Sequence, residues 1–548
     1  MKRRHNNSKP VHPQKDGGQP HKPSPSNTTR RLSPARKWLF RLLALVLIPL
    51  LIFGGLETGL RMAGYGRTLH FFKKINIDGR DYLVNDDRFG LKFFPPEMIR
   101  SPSALRMEPQ KPPGVFRIFI FGESAAMGDP EPAYGPGRYL ETLLRERYPG
   151  QRFEIVNFGI TAINSHVILP IARECAPRQG DLWVIYMGNN EMVGPFGAAT
   201  VFGAQAPPAL LVRATLAIQE TRTGQLLAAL GRKLKGKPGG THAWGGMQMF
   251  TENKIPPDDR RRETVHRNFE KNLRDIVRTG LGSGAKILLS TVAVNLKDCP
   301  PFASQTLASF TAANYEQAMA NANAAEAQGN FALAISPLEQ AVKLAPQSAE
   351  ANYKLGRSFL RLGDATNART ALARACDFDT LPFRADSRIN ALIADAGRRY
   401  GGERLRCLDA AAALSTNDSL CGDEIFYEHV HFNFDGGYRL GRAWAAQIEA
   451  MLPPTMKSRS DWASQETCER RLGLTDWNRV AIIDSVIKRL YEPPLSTQAN
   501  NTERIAALRA QAEELRQRMS VPDATNAARE IYLEALRLSP DDFFLREN

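Results

Sequence analysis

The run Val115-Phe-Arg-Ile-Phe-Ile-Phe-Gly-Glu-Ser-Ala-Ala-Met-Gly128 decides how the rest of the chain is read. Its first seven residues are strand-forming, and Gly122 allows a sharp turn into whatever follows. Pro113-Gly114 precedes it, and Gly135-Pro-Gly137 opens an amphipathic helix carried by Leu140, Leu143, Leu144 and Tyr148. Outward from there come a short strand over Phe153 to Asn157, a helix near Val167 to Cys175, and a buried strand, Leu182-Trp-Val-Ile-Tyr-Met187. A long helix, Val265 to Val277, leads through Gly280-Leu-Gly-Ser-Gly284 into Lys286-Ile-Leu-Leu-Ser-Thr-Val292. These glycines precede a strand instead of joining a strand to a helix, so they read as a turn and not as a dinucleotide cradle. The alternation predicts an α/β fold, a parallel sheet covered by helices. Leu405 to Asp409 adds a further strand and Tyr438 to Met451 a closing amphipathic helix.

Between the two parts of this pattern, residues 310–380 are rich in Ala and lack strand signals. A shift of 34 residues superposes Ala322 on Gly356, Gly329 on Gly363, Ala334 on Ala368, Leu338 on Leu372 and Ala341 on Ala375, with Pro346 closing the first copy. That period, with small residues at helix crossings, resembles the tetratricopeptide repeat. Two repeats alone bury little surface, so the unit is expected to pack on its host domain, as a structural insertion or as a groove for a protein partner. Residues 456–548 read as a helical C-terminal region, in which Ala528, Tyr532, Ala535 and Pro540 reproduce part of the repeat spacing before a short helix from Phe543.

The chain has 548 residues, too many for one ordinary core, and 43% hydrophobic and 24% charged residues, close to globular averages. This excludes a wholly disordered, collagen-like or polytopic membrane protein. The net charge of +15 suggests nucleic acid until it is located: residues 1–41 carry eleven Lys or Arg against Asp16, leaving +5 for the remainder. Residues 1–37 are Pro-, Ser- and Asn-rich and are expected to be a disordered cytoplasmic tail. Residues 38–58 follow as an apolar span; Trp38 to Leu56 alone reaches about 28 Å as a helix. It reads as an uncleaved signal anchor in the inner membrane, with a cleaved leader and a core helix as alternatives. The positive-inside rule then leaves everything beyond it periplasmic or extracellular. Residues 59–112 read as a membrane-proximal linker. Six scattered cysteines form no C-x-x-C pair, which argues against structural zinc; fifteen full disulfide pairings are open.

Ser124 falls at the carboxyl edge of the sheet, where open α/β folds bind ligands. Of nine histidines, His5, His12 and His21 lie in the tail and His70 beside the membrane, leaving His166, His242, His266, His429 and His431. Only Tyr427-Glu-His-Val-His-Phe-Asn433 joins histidines to a carboxylate just after the last strand. Glu428, three residues before His431, can fix the ring's tautomer and stabilise its charged form, while His431 takes the proton of Ser124. Asp423, Glu424 and Asp435 are alternative acids. His429 reads as a packing or surface residue, and zinc binding lacks a further ligand cluster. Val156-Asn-Phe-Gly159 and Tyr186-Met-Gly-Asn-Asn-Glu191 end the next two strands and offer oxyanion donors.

Together these stretches resemble the SGNH or GDSL family of esterases and acyl-transferring hydrolases, most closely its membrane-anchored members with such repeats. The family's Gly-Asp-Ser is matched by Gly122, Glu123 and Ser124; its block II glycine by Gly159; its Gly-x-Asn-Asp by Gly188 to Glu191; and its Asp-x-x-His by Glu428 and His431. Glutamate stands at all three positions where the family has aspartate. The resemblance implies a flavodoxin-like three-layer sheet over residues 113–305 and 385–455, interrupted by the repeats. It further implies a Ser124–His431–Glu428 triad with an oxyanion hole from the Ser124 and Gly159 N–H groups and the Asn190 side chain. No cofactor, metal or nucleic acid is called for. The expected activity is hydrolysis of carboxylic esters, acetyl above all, on an acylated small molecule or glycan. Acyl transfer to an envelope glycan, or an inert repeat-bearing scaffold, are the alternatives.

Overall fold

The computed structural model describes residues 33–103, 105–235, 244–305, 309–415, 420–458 and 461–547. The tail expected over residues 1–37 lies outside them as far as residue 32, as do His5, His12, His21 and His242. The chain divides into two compact units, Met1–Tyr65 and Gly66–Asn548.

In the first unit, α1 (Pro34–Met62) begins four residues before the expected span because Ser33 accepts the N–H of Arg36 and Pro34 suits a first helical position. Its 29 residues reach about 44 Å and include a window of mean hydropathy 2.5. None of its residues is buried. Length and composition make it compatible with a membrane anchor or a signal sequence.

The second unit opens on a small antiparallel sheet, β1 (Phe72–Ile77), β2 (Arg80–Asn85) and β3 (Arg106–Met107). Residues 59–112 are therefore not a linker. The β1–β2 turn is Asp78-Gly79, both with positive φ, the pair that matches the twist of a two-residue hairpin. Phe71, Phe89 and Met107 are buried, and Phe71 meets Phe158 of the main domain edge-on at 5.8 Å. The Glu174 carboxylate accepts the Phe71 N–H at 2.9 Å.

The main sheet is formed by β4 (Val115–Gly122), β5 (Arg152–Asn157), β6 (Leu182–Tyr186), β7 (Lys286–Ser290) and β8 (Leu405–Leu408), all parallel in the order β5-β4-β6-β7-β8. This is the 2-1-3-4-5 order of doubly wound sheets, whose direction reverses between its first and third strands. β4 and β6 are flanked on both sides and buried on both faces, which is why β6 reads as an unbroken apolar run and β4 as one interrupted only by Arg117, whose buried guanidinium pairs with Glu154. α2 (Ser124–Met127) is a single turn after β4. α3 (Pro136–Arg147) packs with the late helix α14 (Phe434–Glu449) on one face. On the other lie α4 (Ser165–Cys175), α7 (Arg260–Gly282) and α12 (Ser387–Tyr400). Between β6 and β7 the chain also forms a helical hairpin, α5 (Ala209–Glu220) and α6 (Arg222–Lys235).

Four helices are inserted after β7: α8 (Ser309–Ala327), α9 (Phe331–Leu344), α10 (Ala349–Arg361) and α11 (Ala365–Asp377). The residues that superpose at a spacing of 34 are its core: Ala322, Ala334, Leu338, Ala341, Ala368, Leu372 and Ala375 are all buried. At Gly356 a Cβ would stand 2.6 Å from Leu372 Cγ, so the α10–α11 crossing admits only hydrogen there. The unit packs on its host as expected, Tyr353 and Arg357 donating to the Lys297 carbonyl. Its two ends are tied by Asp379, which accepts the N–H groups of Phe302 and Ala303, and by Arg384, which donates to the carbonyls of Asn295 and Cys299.

After α12 (Ser387–Tyr400) and β8 come α13 (Ala410–Leu414), α14 (Phe434–Glu449), α15 (Gln465–Arg471), α16 (Asp476–Leu490), α17 (Asn501–Met519), α18 (Ala524–Leu538) and α19 (Phe543–Glu547). Ile483, Val486 and Leu490 of α16 join the same hydrophobic core as the sheet. Cys175, Cys299, Cys376, Cys407 and Cys468 are free thiols.

Candidate active site

The site sits at the carboxyl ends of β4, β6 and β7, at the reversal point of the sheet. Gly122 ends β4 against β6, where a Cβ would meet the Tyr186 carbonyl at 2.2 Å; the bare backbone lets the chain turn directly into Ser124. Facing it is a tight loop closed by a bridge between Phe426 and Phe432, whose rings stack at 4.9 Å, and by the Tyr427 N–H on the His431 carbonyl (2.9 Å). Glu428, His429 and His431 ride on this loop. Asn295, just after β7, holds it from below: its side chain donates to the Glu428 carbonyl (2.8 Å) and its N–H to that of His429 (2.9 Å).

Ser124 Oγ lies 2.8 Å from His431 Nε2, although 307 residues separate them. His431 Nδ1 hydrogen-bonds Glu428 Oε1, and Glu428 Oε2 accepts the N–H groups of His429 and Val430. This fixes the tautomer with the proton on Nδ1 and leaves Nε2 to accept from the serine. Burial favours the neutral carboxyl of Glu428, but the two adjacent imidazoles outweigh it and hold its pKa well below the usual range. For His431 the balance is reversed: burial disfavours the cation, yet Glu428 and Asp129 raise its pKa above the ordinary value. Ser124 and His431 are only 6% and 7% exposed.

The other candidate acids are engaged elsewhere. Asp423 accepts from Asn295 and pairs with Arg504, Glu424 pairs with Lys297, and Asp435 accepts from Gln465. Glu123 is buried and accepts the N–H groups of Gly188, Asn189 and Asn190, tying the loop after β6 to the turn that carries Ser124. Glu191 accepts both the N–H and hydroxyl of Ser165, and burial pushes its pKa up to about 7. Asn189 accepts from the Ala385 N–H, while the Asn190 side chain has no hydrogen-bond partner among the described residues. Gly159 differs from expectation: its N–H donates to Asn157 Oδ1 (2.9 Å), two residues back, instead of standing free.

The other described candidates, His166, His266 and His429, are buried in the fold. Burial lowers the pKa of His166, which contacts Asn272, to about 4, and His266 pairs with Asp386 at 2.7 Å. His429 is buried between Phe302 and Phe383. Its Nδ1 stands 2.5 Å from Glu428 Oε2, at an angle outside hydrogen-bond geometry. Glu428, His429 and His431 each place one potential metal-ligating atom within 4.8 Å of the others. Both His431 nitrogens and both Glu428 oxygens already have partners, so a cation there would have to displace Ser124 or unmake the loop.

Sequence reasoning missed two groups. Arg489, at the end of α16, donates to Asp129 Oδ1 (2.6 Å), contacts Glu428 Oε1 (3.4 Å) and lies 3.3 Å from His431 Nδ1. Asp129 follows α2 directly, and the His431 and Arg489 charges overcome its burial to hold its pKa down. Nothing local marks Arg489, since its meaning depends on where a helix from the last hundred residues docks. Asp129 borders a cavity of about 20 Å³ that also touches Ala125, Tyr134 and Tyr427, room for about one water.

Residues 319–382 match the tetratricopeptide repeat family, in agreement with the four-helix insertion. No curated protein matches the chain.

Proposed function

We propose that this chain is a membrane-tethered serine hydrolase of SGNH type that cleaves carboxylic esters on the periplasmic side. The observation that carries the reading is the continuous hydrogen-bond path from Ser124 Oγ through His431 to Glu428. In such a path Ser124 attacks the ester carbonyl as its proton passes to His431 Nε2. Glu428 stabilises the imidazolium, and the same proton then leaves with the alcohol. The oxyanion falls to the Ser124 N–H and the unengaged Asn190 amide; the Gly159 N–H joins them once Asn157 lets it go. A transmembrane α1 and an extracytoplasmic site suit acetyl esters of envelope glycans. The repeats supply a surface for protein–protein interaction.

The near closure of Ser124 and His431 favours a second outcome for the acyl-enzyme, transfer to a sugar hydroxyl in place of water. Labelling by a fluorophosphonate probe tests the shared step. Wild type should label and Ser124→Ala should not; a folded wild-type protein that stays unlabelled would return the chain to an inert scaffold. Mass spectrometry of Ser124 after incubation with acetylated glycan, with and without an acceptor sugar, separates hydrolysis from transfer.

A further inference from the structure

The α5–α6 hairpin carries its apolar residues on the wrong side for a helix that serves only the core. On α5 the outward positions are Leu210, Leu211, Ala214, Ala217 and Ile218, and on α6 they are Leu227, Leu230 and Leu234, spacings that align on one face of each helix. Leu210 is 81% exposed and Leu234 88%. Of the fourteen large hydrophobic residues exposed among the described residues of Gly66–Asn548, six belong to this hairpin; the others are scattered. A contiguous apolar face of this kind marks an interaction surface on a folded protein.

What covers the face is indicated by chain connection. Arg67 and Gln225 of α6 exchange two hydrogen bonds, the Arg67 N–H to Gln225 Oε1 and Gln225 Nε2 to the Arg67 carbonyl, both 2.9 Å. Arg67 follows the last residue of α1, Met62, by five positions, so covalent geometry alone keeps it within about 19 Å of that helix end. Residues 209–235 also hold five Lys or Arg against one acid, Glu220. An amphipathic element with outward leucines and a cationic balance, tethered through Arg67 by a few residues of chain to a helix long and apolar enough to span a membrane, has the character of an interfacial helix pair.

We infer that the α5–α6 hairpin docks its leucine face into the headgroup–acyl boundary of an anionic bilayer and so fixes the catalytic domain against the membrane. The inference rests on the anchoring role of α1 in the proposed function. The test uses the full chain carrying Cys407→Ser, which removes the one exposed native thiol, reconstituted into phosphatidylcholine vesicles with or without phosphatidylglycerol. An environment-sensitive probe on Leu234→Cys is compared with one on Leu362→Cys in the repeats. Brominated lipids should quench the first at least about threefold more strongly than the second, with the larger effect in anionic vesicles. Adding Leu227→Glu and Leu230→Glu should return quenching to the control level while Ser124 still labels.

An aqueous probe at position 234 in a chain that resists carbonate extraction overturns the inference and leaves the anchor standing. Extraction of the chain by carbonate removes the anchor reading, and the inference with it. Probe–probe coupling at 234 that disappears on dilution with unlabelled protein assigns the face to a second copy and also overturns it.

Discussion

The repeat insertion and the Ser124 site are both buried, but they are built from opposite kinds of information. In the insertion, partners are near neighbours in sequence, small residues recur every 34 positions, and each buried position is explained by the helix beside it. At the site, contacts join distant stretches, Ser124 to His431 across 307 positions, Asp129 to Arg489 across 360 and Glu123 to Asn189 across 66, while Glu428 and His431 alone are close in sequence. The first can be altered piece by piece, whereas the second exists only when the whole sheet is in place. If that contrast holds, damage to the repeats should change stability and leave chemistry intact, and damage at the site should do the reverse.

The largest effect is expected at Ser124, the proposed nucleophile. Ser124→Ala should lower ester turnover by about 10³-fold or more with an unchanged melting profile; a matching loss of stability would mean the hydroxyl is chiefly structural. Next, Leu338→Ala should destabilise the insertion by about 2–5 kcal/mol, because that side chain is fully buried between repeat helices. Turnover measured below the first melting transition should stay within about twofold of wild type. A proportionate loss would join the two regions into one cooperative unit. Glu428→Gln should cut turnover at least about tenfold, since it removes the charge that stabilises the imidazolium while keeping the shape.

A finer contrast lies in pH. His431 must be neutral to act as base, so activity should rise with pH through its elevated pKa. The groups facing it are Glu428 and His429 on its own loop, Asp129 after β4 and Arg489 on α16. Asp129 raises the His431 pKa and Arg489 lowers it. Asp129→Asn should therefore move the acid limb of kcat/KM to lower pH and Arg489→Met to higher pH; shifts of the same sign would show that the pair acts only by positioning. The smallest effect concerns Glu191, whose folded pKa of about 7 exceeds its unfolded value. The folded state holds this proton longer, so the group's contribution is full below the unfolded pKa and is lost as pH rises toward 7. Relative to Glu191→Gln, wild type should lose stability across that window by chemical denaturation.

Much of the architecture was legible in the sequence because β6 is a continuous apolar run, β4 is one broken only by Arg117, and the repeats obey a fixed period. Ser124, His431 and Glu428, which the structure brings into contact, stood out because they lie in two short motifs, one at the end of β4 and the other in the loop before α14. The small sheet at residues 72–107 was missed although Asp78-Gly79 signalled its hairpin, because its strands are short and cation-rich. Gly159 was expected to present a free donor, but a glycine has no side chain to reveal that Asn157 would reach its N–H first. Arg489 was unreadable for a deeper reason: α16 looks like any amphipathic helix until its docking places one end beside the imidazole.

The distance along the chain between hydroxyl and imidazole has a temporal meaning as well. A polypeptide threaded outward from its amino end delivers Ser124 long before the loop that activates it. During that interval Ser124 has neither His431 nor Arg489 near it, so the proposed hydrolase would be inert while its chain is still incomplete. On the proposed reading, Ser124 gains its base and its neighbouring cation only when residues 428–489 have joined the fold.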